Sequence, residues 1–473
     1  MVKRTVLLFF LCFSAAPGQA PARTQLIRPI DWKVDPGYNN APAAAVEAWQ
    51  DRKYGMRIHW GPYSVLGLEA SWPLNRAPRD FRLLYSTLYE VFNPTEFSAD
   101  EWAALAQRAG MTYFVFTTKH HDGFSMFDTR TKTKAWRRVP GASYGPGVGP
   151  VEECLINYSI MDTPRKKDIV GELAQAFRQR GLGVGLYYSL IEWNDPNFRW
   201  DRPNMHYDQN YNAQTDPEGW RQFIQRQGAQ LRELSTNYGK IDHYSFDGYW
   251  PETAWRELIA SLKEIRGLQP DVVMKGNIGP YGDWTGKEGW DAGDSSGEFL
   301  SQPWEIIARL GTCSAYTPNS TYRSKEWLVT TLVDIVAHGG NLMLSIAPMA
   351  NGKFPKETVD RLEYGAGWLR VNGEAIYKTR PWNVVAEGEQ VRFTRSKDGR
   401  YVYAISLQWP GRQLRLKSVR AVEGSKITML GVNRGLPWRQ GPDGLIIDVP
   451  ETRPCEQAYA FKIQAQPYKE KYP

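Results

Sequence analysis

Residues 98–123 read SADEWAALAQRAGMTYFVFTTKHHDG, and one repeating unit of the fold lies inside that stretch. Ser98 with Glu101 three residues later forms a capping box that starts a helix. Trp102, Leu105 and Ala106 supply its buried stripe, and Gly110 ends it. Thr112 to Thr118 is then an apolar, β-rich run of strand length, and the polar string Lys119-His120-His121-Asp122-Gly123 follows at its carboxyl end.

The same texture runs from about Met56 to Ala347. Further strands are predicted at Gly183 to Tyr188, His243 to Phe246, Val272 to Lys275 and Asn341 to Ile346. Helices are predicted from Lys167 to Arg180, Glu218 to Tyr238 and Trp327 to Ala337. Strands alternating with helices over about 300 residues predict an α/β fold, a (β/α) TIM-like barrel rather than an open doubly wound sheet. No glycine-rich G-x-G-x-x-G follows an early strand, which argues against a dinucleotide fold. After Trp368 the pattern becomes short alternating stretches, Val391 to Thr394, Tyr401 to Ile405, Leu414 to Lys417 and Ile427 to Leu430, separated by turns. They predict a small C-terminal antiparallel β-sandwich. The expected organisation is therefore a signal peptide at 1–20, a catalytic barrel at 21–375 and a sandwich at 376–473.

The signal peptide rests on Met1-Val2-Lys3-Arg4, an apolar run from Thr5 to Ala16, and Pro17-Gly18-Gln19-Ala20 before the expected cleavage. It implies a periplasmic or secreted protein, and the run is too short for a membrane span. Apolar residues at 42% and aromatics at 13% exclude disorder as the main state. The net charge of +7 comes with short basic clusters, Arg76 to Arg82 and Lys132 to Arg138, and with no nucleic-acid motif, so these read as solvated surface. Cys154, Cys313 and Cys455 lack metal-ligand spacing and allow at most one disulfide.

Functional groups of a β/α barrel gather where strands end. His59-Trp60-Gly61, His120-His121-Asp122, Tyr187-Tyr188-Ser189 and Asp247-Gly248 all directly follow or close apolar runs, and Asn277 follows another. The chain has six His, and three of them fall in two of these motifs. Trp60, Tyr187 and Trp250 add aromatic faces, a mixture that suits a sugar. Asp247 is placed to act as a carboxylate nucleophile. Glu288 and Glu305 lie in the region expected to form later loops over the mouth, each near a Trp that would desolvate it and raise its pKa toward that of a general acid.

Taken together these motifs resemble glycoside hydrolase family 29, the retaining α-L-fucosidases. The resemblance rests on His59 to Val65, Lys119 to Phe124, Gly185 to Ser189, Phe246-Asp247-Gly248 and Gly339 to Pro348, and it extends through the sandwich. It implies double displacement by two carboxyl groups, with Asp247 as nucleophile. It further implies that His59, His120, His121 and Tyr187 bind the sugar, with Trp60 beside them. Glu69, in Glu69-Ala70-Ser71-Trp72, stands where the family has a Glu-Trp-Tyr triplet, which makes Glu69 and Trp72 substrate-binding candidates. Glu288, in a Gly-Asp-aromatic-Thr-x-x-Glu pattern, is the preferred acid/base and Glu305 its rival.

Three positions depart from the family pattern. Ser245 replaces a Trp before the nucleophile, Asn277-Ile278-Gly279 replaces Asn-Asp-Arg, and Ser314 replaces an aromatic expected against the fucose methyl. The expected function is an exported retaining exo-α-L-glycosidase acting on terminal α-L-fucosyl or fucose-like units of oligosaccharides or glycoconjugates. Smaller, hydroxylated Ser245 and Ser314 keep an α-L-galactosidase, or a hydrolase of C6-substituted L-galactosyl units, as an alternative. Two others are a barrel that binds glycans without turnover and a metal hydrolase using His120, His121 and Asp122. The first reading needs no cofactor, metal or nucleic acid, and the sequence carries no signal for oligomeric state.

Overall fold

The computed structural model describes residues 35–139, 150–198, 216–248, 255–289 and 302–466. The expected signal peptide, Trp250 and the side chain of Asn277 lie outside what is described. The chain opens with α1 (Ala43–Arg52), β1 (Tyr54–Ile58), α2 (Arg79–Tyr85), α3 (Ala99–Arg108) and β2 (Tyr113–Lys119). A hairpin of β3 (Thr133–Arg138) and β4 (Val151–Ile156) branches off before α4 (Ile169–Gln179) and β5 (Gly183–Ser189). Next come α5 (Pro217–Asn237), β6 (His243–Asp247), α6 (Trp255–Leu268), β7 (Val273–Met274), β8 (Thr285–Glu288) and β9 (Trp304–Arg309). The unit closes with α7 (Lys325–Ala337), β10 (Asn341–Ile346) and α8 (Lys356–Asn372).

Eight of these strands form one parallel sheet in the order β7-β6-β5-β2-β1-β10-β9-β8. The sheet curls until Lys275 and Trp284 meet in a single parallel bridge, which brings the two edges together as a TIM-like barrel. Asp283 reinforces that thin seam: it accepts from the backbone of Met274 and Ala41 and from Arg266. The strands are buried on both faces, as parallel strands covered by helices must be.

Local signals explain the helices. Ser98 caps α3 by accepting from Glu101 N–H, Asp168 caps α4 through Gly171, Asp216 caps α5 through Gly219, and Ser324 caps α7 through Trp327. Gly55 of β1 is required by packing rather than by a turn: a Cβ there would lie 2.3 Å from the ring of Tyr113, which crosses the interior at that height.

Two segments expected as loops, those holding Glu288 and Glu305, are instead strands β8 and β9. In β9 the run Ile306-Ile307-Ala308 is fully buried, and it completes the sheet beside β10. No disulfide joins Cys154, Cys313 and Cys455.

The C-terminal unit packs a five-stranded antiparallel sheet, β11 (Thr379–Glu387), β12 (Val391–Ser396), β13 (Tyr401–Ser406), β15 (Thr428–Met429) and β18 (Tyr459–Gln464), against a smaller one. The second contains β14 (Gln413–Leu416), β16 (Trp438–Gly441) and β17 (Gly444–Asp448). Phe393, Leu416, Ile447 and Phe461 lie in their shared core. α7 faces this unit, where Asp334 pairs with Arg392 of β12, and both side chains are largely buried. Asp334→Ala leaves that guanidinium without its carboxylate and should cost about 3–5 kcal/mol of stability in urea unfolding, much of it recovered by Asp334→Leu combined with Arg392→Met.

Candidate active site

The carboxyl ends of the barrel strands hold the site. Asp247 ends β6, and its Oδ2 accepts from the Tyr187 hydroxyl at 2.7 Å, while the Gly248 N–H donates to Oδ1 at 2.8 Å. His121 Nε2 lies 3.8 Å from the same Oδ2. Burial would raise the Asp247 pKa, but His121, Lys275, Arg57 and the Tyr187 hydrogen bond together hold it well below the usual carboxylate range. A carboxylate that stays ionised and is gripped from two sides is what nucleophilic attack requires.

The histidines leave strand geometry after Lys119, which brings the rings of His120 and His121 to 4.1 Å between centroids. Each is tied by a serine: Ser71 Oγ lies 2.6 Å from His120 Nδ1, and Ser189 Oγ lies 2.6 Å from His121 Nδ1. Ser189 is held in turn by Ile191: its hydroxyl lies 2.7 Å from the Ile191 carbonyl and accepts from the Ile191 N–H. His121 is thereby oriented with Nε2 toward the flank of Asp247. Burial pushes its pKa down to about 4, and burial likewise holds His59 and His120 well below their ordinary value. At neutral pH the site presents neutral imidazoles suited to hydroxyl groups.

Asp122 turns elsewhere, accepting from the Tyr85 hydroxyl and the Phe124 N–H. Among the described residues no three His, Cys, Asp or Glu side chains converge as metal ligands do.

Glu288, at the end of β8, is half-exposed and shared between two arginines. Oε1 lies 3.1 Å from Arg57, and Oε2 lies 3.2 Å from Arg309. Burial would raise its pKa, but Arg57 and then Lys275 and Arg309 prevail against that and against Asp247, and the net shift is downward. This reverses the expectation of a raised value. Glu305 has the raised value, about 8 from burial, but it is fully buried in the second position of β9 and accepts from Tyr113 at 2.5 Å. It pairs in register with Asn341, the first residue of β10, so it lies toward the barrel floor rather than at the mouth.

Other expected site residues are repositioned. Trp60 is buried against Phe92, Phe97 and Trp102 and donates to the Met349 carbonyl, so it supports the site from behind and offers no face to a sugar. Tyr187 is also buried, its ring covered by Arg57 and stacked on His120, and it contributes its hydroxyl. Trp72 is an exposed aromatic at the rim, edge-on to His121 and tilted against Trp193. Glu69 accepts from the backbone N–H groups of Ser314 and Ala315, clamping the loop after β9 to the loop after β1. Ser245 is sealed in the barrel below Asp247, in register with Tyr187, so only Ser314 of the two unusual serines belongs to the loops at the mouth.

Sequence reading missed Arg57, Lys275 and Arg309, the cations that set the charge of the site. A long cation inside the apolar runs Gly55 to Ile58 and Val272 to Lys275 was the available signal. It gave no role to Ser71 or Ser189, although both stand in the quoted motifs, and it missed Trp193; their partners are distant in sequence.

Two family models match the chain: Alpha-L-fucosidase over residues 31–374 and the Alpha-L-fucosidase C-terminal domain over residues 386–464. Human tissue alpha-L-fucosidase is 30% identical, with 97% of this chain and 96% of that protein covered. Mouse tissue alpha-L-fucosidase is 28% identical over 91% of this chain and 94% of its own. Alpha-L-fucosidase isoenzyme 1 from Paenibacillus thiaminolyticus superposes with a TM-score of 0.73 at 25% identity, covering 89% of this chain and 99% of that one. Thermotoga maritima alpha-fucosidase, solved in complex with a mechanism-based inhibitor, superposes with a TM-score of 0.70 at 25% identity, covering 88% and 96%.

The interior position of Glu305 has a thermodynamic consequence. Its folded pKa lies above the unfolded value of 4.5, so between about pH 4.5 and 8 the native state keeps a proton that the unfolded chain has lost, and stability falls as pH rises through that window. Glu305→Gln, which preserves an acceptor for Tyr113, should leave the melting temperature unchanged at pH 4 and raise it relative to the parent at pH 8 and above, as read by thermal melts across pH.

Proposed function

The chain belongs to the alpha-L-fucosidase family and is a glycoside hydrolase acting on fucosides, and we propose that it is an exported, retaining exo-enzyme that removes terminal α-L-fucosyl units from glycans. The observation that carries this reading is the ionised Asp247 carboxylate, held at a strand end by Tyr187 and Gly248, with neutral His121 3.8 Å away and the rings of His120 and His59 next in line. In the first step an Asp247 oxygen attacks the anomeric carbon as the bond to the leaving oxygen breaks, and Glu288 gives that oxygen a proton. In the second, Glu288 takes a proton from water, the water oxygen bonds to the anomeric carbon, and Asp247 departs. The mechanism-based inhibitor bound by the Thermotoga relative is in keeping with covalent chemistry.

Imidazoles without charge can both donate to and accept from ring hydroxyls. Trp72 offers the apolar surface. Export rests on residues 1–20, and the mature protein should begin at Pro21 by N-terminal sequencing.

Asp247→Ala should lower kcat by about 10³-fold or more with folding retained, and azide should restore part of it as a surrogate nucleophile. Near-native turnover by that variant would remove Asp247 from the role. Glu288→Ala should lose about 10²–10⁴-fold on glycosides with poor leaving groups and far less on activated aryl fucosides, because only the former need protonation to depart. Equal losses on both substrates would assign Glu288 to binding instead.

A further inference from the structure

A cleft of about 560 Å³ opens beside Glu288, on the side away from Arg57, between the end of β9 and the start of α7. Its volume is within the range of small-molecule sites. The wall formed by residues 310–323 is fixed before any ligand arrives. Gly311 and Tyr322 form an antiparallel bridge, Thr312 and Thr321 share a hydroxyl contact at 2.8 Å, and the Arg323 N–H donates to the Leu310 carbonyl. Glu69 holds the tip of the same loop through Ser314 and Ala315.

The charge of this cleft is one-sided. Arg309 and Arg323 both line it, whereas Glu288 is its one described carboxylate and is already divided between Arg57 and Arg309. Arg323 spreads its guanidinium over the Trp327 ring at 5.5 Å and has no carboxylate partner among the described residues. The first turn of α7, which begins at Lys325, borders the same space with the positive end of its dipole. An unpaired guanidinium on a rigid wall is a ready recognition element for a planar or tetrahedral oxyanion.

We propose that this cleft is the leaving-group subsite and that it takes a glycan residue carrying an anionic substituent, a sulfate or a carboxylate, which Arg323 and Arg309 bind. The inference rests on the fucosidase reading above, because the leaving oxygen must lie beside the acid and Glu288 is the residue common to the cleft and the barrel mouth. Binding also acts on the chemistry. An anion that draws Arg309 toward itself removes a cation from Glu288 Oε2 and so favours the protonated carboxyl that the first step consumes.

The test compares fucosyl disaccharides that differ only in the leaving sugar: neutral, sulfated or uronic. The native enzyme should show a kcat/KM about five- to tenfold higher for at least one anionic form at low salt, shrinking as salt screens the contact. The two anionic arms distinguish sulfate from carboxylate. Arg323→Ala should bring the ratio close to one while leaving the kcat/KM for an aryl α-L-fucoside unchanged, and Arg323→Lys should retain part of the preference. A native ratio at or below one, or a preference that survives Arg323→Ala, overturns the proposal. Failure to release fucose from the aryl substrate would instead overturn the fucosidase reading. For that case the free sulfated and uronic sugars are titrated by calorimetry into native protein and Arg323→Ala: heat only with the native protein supports the subsite, and no heat with either sugar overturns it.

Discussion

Two of the long cations buried in the barrel, Arg57 of β1 and Lys275 just after β7, lie beneath its mouth, and the chemistry there depends on how they are neutralised. Either charge left unpaired would cost several kcal/mol. Glu288 meets Arg57 directly, and Asp247 is drawn down by both cations. The two carboxylates proposed for catalysis therefore also serve the stability of the interior, and the fold and the site cannot be altered independently. The same cations explain the histidines. Burial sets the low affinity of His59, His120 and His121 for a proton, and Arg57 lowers all three further, since an imidazolium would add positive charge where two cations already reside. Neutral imidazoles in this site follow first from burial and then from the charge already present beneath them.

Positioning is achieved by short polar contacts between loops that follow different strands. Ser71 comes from the loop after β1 and Ser189 from the end of β5, yet each fixes one of two consecutive histidines after β2. Behind them the rings of Trp60, Phe92, Phe97 and Trp102 pack into a solid apolar support, in which the two indole N–H groups donate to the Met349 and Gly352 carbonyls. Thus the site has a rigid aromatic back and a polar face whose histidines are held in place by serines. This arrangement limits the reorganisation needed when a sugar arrives.

The parts of this architecture that were legible in the sequence are those with local signals. Ser98, Asp247 and the strand Asn341 to Ile346 could be read because a cap, a strand end and an apolar run each announce themselves within a few residues. Glu288 and Glu305 show the limit. Both stand near Trp in sequence, but β8 and β9 pair so that one carboxylate reaches the mouth and the other faces the floor, and only the register of the closed sheet separates them. The same holds for Trp60 and Tyr187. A residue following a strand can face the sugar, the core or a neighbouring side chain, and the decision belongs to Phe92, Phe97, Trp102 and Arg57, which arrive from elsewhere in the chain or from the strand itself. Ser245 was misplaced for a simpler reason: alternation along β6 puts it on the same face as Asp247 but deeper in the barrel.

As the proposed general acid, Glu288 is under opposing demands. A general acid must hold a proton before the leaving group departs, whereas the resting electrostatics of this barrel keep the carboxyl ionised. The two arginines that cause the conflict are not equivalent. Arg57 is 2% exposed, stacked on Tyr187 and locked into β1, so its pairing with Oε1 is part of the core. Arg309 is 42% exposed at the last residue of β9, and its pairing with Oε2 faces the cleft, where solvent screens it and side-chain rotation costs little. The interior cation thus fixes where Glu288 stands, and the exposed cation governs how firmly its charge is held. Only the second can change within a catalytic cycle without disturbing the barrel, which makes the contents of the cleft, rather than the sugar pocket, the natural control over the acid.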